Sequence, residues 1–385
     1  MPSSSSTPMD QLFWTPHSGY HWDGAPGRFF EGWYCRLTLP AVAQSFAFMY
    51  SIDDPAGASI LDSSSTPDLS GGAAQILGPD ETYLYCPFPN VAGFWAWRGH
   101  LGLGHWGQVA GSGTVVYPPR YLEADRFRAG VSQGYQLTAT HHQGQVQDPQ
   151  TGLQARWDYT VVPRYGWGGD HEPPRPTAGW LSYLPIFEPG WQVLMAHGWG
   201  TGWIEWGRDR YDFHQAPVYC EKNWGHAFPE KWFWIQCNAF ADEPDLSLTM
   251  AGARRQVLTH QETVGLVGLH YRGQFFELSS LRGQIQWQVT PWGDWWVSAL
   301  THRYRLELRG TCDATPAQVR VPTREGLQFR CWDTTHGHLT VSLWARSPAG
   351  RDCPFQESLI LQAESTLAGL EVGGHDWQHP WQYSG

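Results

Sequence analysis

Glycine and proline punctuate this chain so often that no amphipathic stretch of twelve residues escapes them. Between them lie short runs of alternating character, bounded by Gly, Pro, Asp or Asn clusters. Examples are Phe30–Leu39, Gln44–Ile52, Gly134–Thr140, Gln154–Val161, Trp232–Phe240, Gly283–Thr290, Trp295–Leu300, Arg303–Leu308 and His338–Trp344. Strands of this length, regularly spaced and separated by turns, predict an all-β fold of antiparallel barrels or sandwiches with few helices. At 385 residues the chain is long enough for two such units.

Alternation in the first run carries more detail. Phe30, Gly32, Tyr34, Arg36 and Thr38 share one face; Glu31, Trp33, Cys35, Leu37 and Leu39 share the other. The more apolar face therefore carries a carboxylate. A weak echo follows in Trp232–Phe240, and each run is approached by a Gly- and His-containing segment, 16–24 and 221–226. That echo suggests a duplicated barrel. The expected division is a tail at 1–13, a first barrel at 14–202 and a second at 203–385, with the boundary in the Gly/Trp stretch 198–206.

Composition removes several classes. The chain holds 24 Trp, and aromatic residues make up 15% of it, which is ample apolar surface against disorder. A net charge of −11 argues against nucleic acid as a partner. No stretch approaches ~18 consecutive apolar residues, so no transmembrane segment is expected. The Ser/Pro-rich start, 1–10, has neither the basic residues nor the apolar core of a signal peptide. Seven scattered Cys, none in CxxC spacing, predict reduced thiols rather than zinc or a disulfide framework. Both Lys of the chain, Lys222 and Lys231, fall within ten residues of each other.

The densest chemistry lies at Tyr219-Cys220-Glu221-Lys222-Asn223-Trp224-Gly225-His226. If this segment is extended, Tyr219, Glu221 and Asn223 point the same way. A carboxyl in an aromatic wall has its pKa raised and can carry a proton at neutral pH. The plainer alternative is a Glu–Lys surface pair at a turn. For Glu31 the plainer alternative is a buried ion pair. His336/His338 and His17/His21 could be ligand pairs, but no third ligand has convincing spacing and no metal is expected. No phosphate loop, dinucleotide fingerprint or GxSxG elbow occurs. The tryptophans beyond the core have two open uses: platforms for sugars beside glycosidase carboxylates, or the wall of an apolar pocket that stabilises a cation.

Several long motifs, in order, resemble the tocopherol cyclases of cyanobacteria and plant plastids. They are Pro16–Gly24, Arg28-Phe29-Phe30-Glu31-Gly32-Trp33-Tyr34, Ser45–Ile52, Gly102–Gly107, Glu221-Lys222-Asn223-Trp224-Gly225, Phe228-Pro229, Lys231–Trp234, Gln236-Cys237-Asn238, Pro291-Trp292-Gly293 and Leu370–Gly374. The likeness runs from about residue 14 to 377. It implies two lipocalin-like β-barrel domains packed together, a fold shared with carotenoid hydratases. It also implies a cofactor-independent isomerisation in vitamin E biosynthesis. The alkene of a prenylated (phytyl) methylbenzoquinol is protonated, and the phenol oxygen captures the tertiary cation to close a chromanol ring. With no plastid leader in view, the cyanobacterial branch is expected.

On that resemblance Glu221 is the proton donor, oriented with the quinol by Tyr219 and Asn223, and Glu31 is the second carboxylate, a candidate acceptor. Trp33, Tyr34, Trp224, Trp232 and Trp234 are wall residues. His17, Tyr20 and His21 are headgroup contacts, with Lys222 and His226 beside them. Lys222 could instead lower the Glu221 pKa and make it a base. The lipid substrate implies peripheral attachment, on the cytoplasmic side, to a thylakoid membrane or lipid globule. A prenyl-alkene hydratase and a non-catalytic quinol or carotenoid carrier are the rival readings.

Overall fold

The computed structural model describes residues 14–25, 27–56, 71–109, 120–170, 172–184, 186–348 and 355–385; the expected tail at 1–13 lies outside them. Alternating sequence becomes strand almost throughout. The first sheet holds β1 (Phe30–Leu39), β2 (Gln44–Asp53), β3 (Gly71–Leu77), β4 (Tyr83–Phe88), β5 (Phe94–Ala96), β6 (Gly102–Val109), β7 (Val131–Thr138), β8 (His141–Gln147) and β9 (Gln154–Tyr165). After β10 (Phe187–Glu188), it is completed by β11 (Gly190–Trp206) and β12 (Asp209–Gly225).

The second sheet holds β13 (Lys231–Cys237), β14 (Ser247–Val257), β15 (His260–Tyr271), β16 (Gln274–Ser279), β17 (Gln284–Val289), β18 (Asp294–Leu300), β19 (Tyr304–Thr311), β20 (Ala317–Thr323), β21 (Gly326–Ser347), β22 (Gln356–Gly374) and β23 (Trp381–Ser384). β10 joins it by pairing with β14. The single α-helix among the described residues, Ala124–Gly130, spans seven residues.

The sheets repeat one plan. Strand order is β4-β3-β2-β1-β12-β11-β9 in the first and β16-β15-β14-β13-β22-β21-β19 in the second, all antiparallel. In each, a four-strand meander is closed by a late, long strand that returns beside the first. This gives the two packed lipocalin-like barrels expected, and the echo between Phe30–Leu39 and Trp232–Phe240 falls on the matching strands β1 and β13. The first sheet runs on through β12 to Gly225, so position 202/203 lies inside the strand β11. The glycines there serve a bulged strand rather than a linker: β11 shifts register against β12 between Gly200 and Gly202.

Each barrel buries its own core. Trp33, Cys35, Leu37 and Leu39 of β1 pack with Phe46, Phe48, Tyr50 and Ile52 of β2 in the first. Phe233, Ile235 and Cys237 of β13 pack with Trp287, Trp295 and Val372 in the second. The opposite faces are buried too, because the barrels pack on each other. Along this seam Tyr34, Tyr165, Trp167, Val193, Tyr219 and Trp234 form a third cluster. Arg36, fully buried, crosses the seam and donates to Gln236 Oε1 (3.0 Å), Thr335 O (2.8 Å) and Leu367 O (2.7 Å).

One expectation is overturned. Cys35 and Cys220 are joined by a disulfide across 185 residues. They stand opposite each other in the β1–β12 register, a proximity that sequence spacing does not reveal. Cys86, Cys237, Cys312 and Cys331 are free and buried.

Candidate active site

A cavity of about 830 Å³ opens between the two barrels, within the ~300–1,000 Å³ range of small-molecule sites. Its walls are mostly apolar: Trp191, Trp224, Trp232, Trp234, Phe187 and Leu266 contribute, and Glu221, Asn223 and Glu371 are set among them. Alternation decides who faces it. In β12, Glu221 and Asn223 look into the cavity, while Tyr219 lies one step deeper on the same face.

Glu221 is held by two donors on one oxygen. Tyr219 Oη donates to Glu221 Oε2 at 2.6 Å, and Trp234 Nε1 donates to the same atom at 3.2 Å. Burial raises the pKa of Glu221; the hydrogen bonds from Tyr219, Trp191, Trp234 and Asn223 oppose that rise without cancelling it. Tyr34 faces the seam, its ring 5.2 Å from that of Trp234 and perpendicular to it, but it does not line the cavity.

Lys222 points to the other side of β12 and does not meet Glu221. With Glu31 it forms an ion pair in which neither side chain is exposed. Lys222 also donates to Gly19 O at 2.8 Å. The backbone N–H of His21 donates to Glu31 Oε2 at 2.9 Å. His21 Nδ1 lies 3.3 Å from Glu31 Oε1 and 3.2 Å from Lys222 Nζ. Burial alone would raise the Glu31 pKa, yet Lys222 and His21 hold it below the ordinary carboxylate range. Glu31 is thus a buried, ionised partner behind the wall.

His21 brings that charge to the cavity edge. Its ring stacks on Trp224 at 4.1 Å with the planes 3° apart. His21 Nε2 lies 3.2 Å from His17 Nδ1, and His17 Nε2 lies 2.9 Å from Ser182 Oγ. Burial, then His21 and Lys222, push His17 down to about 4, so it is neutral at physiological pH. His226, largely exposed at the mouth, pairs with Glu188.

Two expected contacts turn away from the cavity. Trp33 faces the first core, and Tyr20 packs beside it against Phe94. Because both faces of β1 are buried, alternation alone could not say which face meets a ligand. Lys231, close to Lys222 in sequence, lies apart from the cavity, donating to Asp376 O and lying over Trp377.

The structure adds Glu371 of β22. Trp232 Nε1 donates to its Oε1 at 2.6 Å, and Cys331 Sγ lies 3.5 Å from its Oε2. Burial, countered by the Trp232 bond and reinforced by the charge of Glu221, lifts it to about 7. The available signal was a lone carboxylate between Leu370 and Val372 in an apolar strand.

A tryptophan-walled chamber holding neutral-leaning carboxyls between two lipocalin-like barrels defines an apolar-ligand protein equipped for proton chemistry. Residues 27–374 match the family described as tocopherol cyclase-like, and the chain belongs to that family. A maize protein named "Tocopherol cyclase, chloroplastic" is 40% identical over 396 aligned positions, covering 99% of this chain and 82% of the relative. A rice (subspecies japonica) protein named "Probable tocopherol cyclase, chloroplastic" is 39% identical, covering 99% and 83%. The solved structure of CghA with Sch210972 superposes at a TM-score of 0.46 with 10% identity, covering 94% of this chain and 96% of that one.

Proposed function

We propose that this chain is a tocopherol cyclase, closing the chromanol ring of a prenylated methylbenzoquinol. The observation that carries the reading is Glu221: a buried carboxyl with a raised pKa in the wall of an indole-lined chamber, in a chain that matches the family nearly end to end.

Glu221 delivers its proton to the alkene carbon nearest the ring. Tyr219 and Trp234 keep donating to Oε2, so they stabilise the carboxylate as it forms. The tertiary cation develops beside the Trp232 and Trp234 faces, whose quadrupoles attract it. The apolar wall keeps out the bulk water that would otherwise give a tertiary alcohol. Asn223 orients the ring. The quinol's far hydroxyl, which does not react, binds the neutral His17 and His21. In this reading Glu31 and Lys222 act through His21, fixing its ring.

Purified protein given a prenylated benzoquinol under reducing conditions in heavy water will yield a chromanol with one new deuterium by mass spectrometry. A tertiary alcohol would identify a hydratase, and binding without turnover a carrier. Full activity in Glu221→Gln would remove Glu221 from the mechanism.

No helix among the described residues is long and apolar enough to cross a membrane. Tyr183 (59% exposed), Leu184 and Leu281 (76% exposed) rim the mouth, with Trp180 on the same turn. We read this rim as the contact with a thylakoid or lipid-globule surface that delivers the substrate. Flotation with liposomes tests it: Tyr183→Ser/Leu281→Ser is expected to stay in the soluble fraction, and unchanged flotation would refute it.

A further inference from the structure

The two sheets place their carboxyls by the same rule. In the first, Glu221 on the closing strand β12 stands opposite Tyr34 of β1; in the second, Glu371 on the closing strand β22 stands opposite Trp234 of β13. Glu221 and Glu371 occupy matching positions of the repeated plan and look into one cavity from opposite barrels. Two tryptophans on one face of β13 hold them, Trp232 on Glu371 and Trp234 on Glu221. Both acids are thus anchored by indole N–H groups on the wall where the cation would develop.

We propose that Glu371 is the second catalytic carboxyl, the group that takes the phenolic proton as the ring closes. This deepens the cyclase reading and rests on it. In balance, the Glu221 O–H breaks as the alkene C–H forms. The phenol oxygen then bonds to the tertiary carbon, and its proton passes to Glu371. The substrate is isomerised, nothing is oxidised or reduced, and the pair ends with its one proton on the other carboxyl. That proton returns across the shared cavity, or the two exchange roles in the next turnover.

The step needs the pair singly protonated, so the rate falls at both ends of the pH range. The low-pH fall marks the pair taking up its second proton, which leaves no carboxyl free to accept the phenolic one. The titratable groups facing it are Cys331 and Asp333 from β21, Glu221 from β12 and Tyr34 from β1, with Glu81 and Arg36 beyond Asp333. Burial, then the charges of Glu371 and Glu81, raise Asp333 well above the carboxylate range. His17 is held near 4.

The test measures kcat/KM against pH for wild type and Glu371→Gln, with quinol binding followed by tryptophan fluorescence. Wild type is expected to lose activity at low pH, as the pair takes its second proton. Glu371→Gln is expected to bind quinol normally, to lose roughly 10²-fold or more in kcat and to lose the low-pH fall. Glu371→Asp should recover part of the rate together with that fall. A wild type that cyclises with no low-pH fall overturns the proposal without any variant. So does Glu371→Gln with near wild-type kcat, or with reduced kcat and an unchanged pH profile. A wild type that forms no chromanol instead refutes the cyclase reading.

Discussion

The pair Lys222–Glu31 offers the sharpest quantitative test of how the site is held. Lys222→Met keeps the length of the side chain and deletes its charge. Both partners are fully buried, so the variant leaves an uncompensated carboxylate, which costs about 3–5 kcal/mol. The structure modifies this in two opposing ways. The His21 backbone N–H still donates to Glu31 Oε2, which moderates the loss. Gly19 O loses its donor, which adds about 1 kcal/mol. The expected destabilisation at pH 7 is therefore about 4 kcal/mol, read from urea midpoints at unchanged slope.

The pH dependence has a fixed sign. In wild type the folded-state pKa of Glu31 is depressed, so its contribution is present above the unfolded value and lost as pH falls through the folded one. In Lys222→Met, burial without Lys222 raises that pKa, and the penalty is relieved as pH falls and Glu31 or His21 takes a proton. The gap between the proteins should narrow as pH falls below neutral, and Glu31→Gln/Lys222→Met should regain most of the stability. A cost below about 1 kcal/mol, or a gap that widens on acidification, would refute the reasoning.

Tyr219→Phe removes a bond that favours the ionised form of Glu221, so the Glu221 pKa should rise further. In the proposed mechanism activity requires the protonated acid and is lost as pH rises through its pKa; the alkaline limb of the kcat profile should therefore move to higher pH. Gly373 stands opposite Trp232, and a Cβ there would meet the indole at 2.0 Å. Gly373→Ala should displace Trp232 from Glu371 and lower kcat by roughly 10²-fold, with circular dichroism unchanged.

Much of the fold was legible because strand alternation is a local property. Phe30–Leu39 was bounded to the residue, and the echo in Trp232–Phe240 fell on the matching strand of the second barrel. The common direction of Tyr219, Glu221 and Asn223 followed from the same period of two. What stayed hidden depends on register between distant strands. Nothing local says that Cys35 meets Cys220, that Lys222 turns from Glu221 toward Glu31, or that Glu371 shares a cavity with Glu221, 150 positions before it. Trp33 shows the other limit. Where packed barrels bury both faces of a strand, an apolar face can belong to the core as well as to a ligand.

Glu221 hangs from one barrel and Glu371 from the other, so their separation belongs to neither. It is set by how the barrels seat, and Arg36 is the strut that fixes the seating, gripping two backbone carbonyls and an amide of the opposite barrel. The seam therefore works as a calliper on the chemistry. Substitutions along it, far from any substrate atom, will tune the rate by sub-ångström changes in the jaw. Splitting the chain between Gly225 and Lys231 would yield two pieces that each retain a core and carry half a reaction centre.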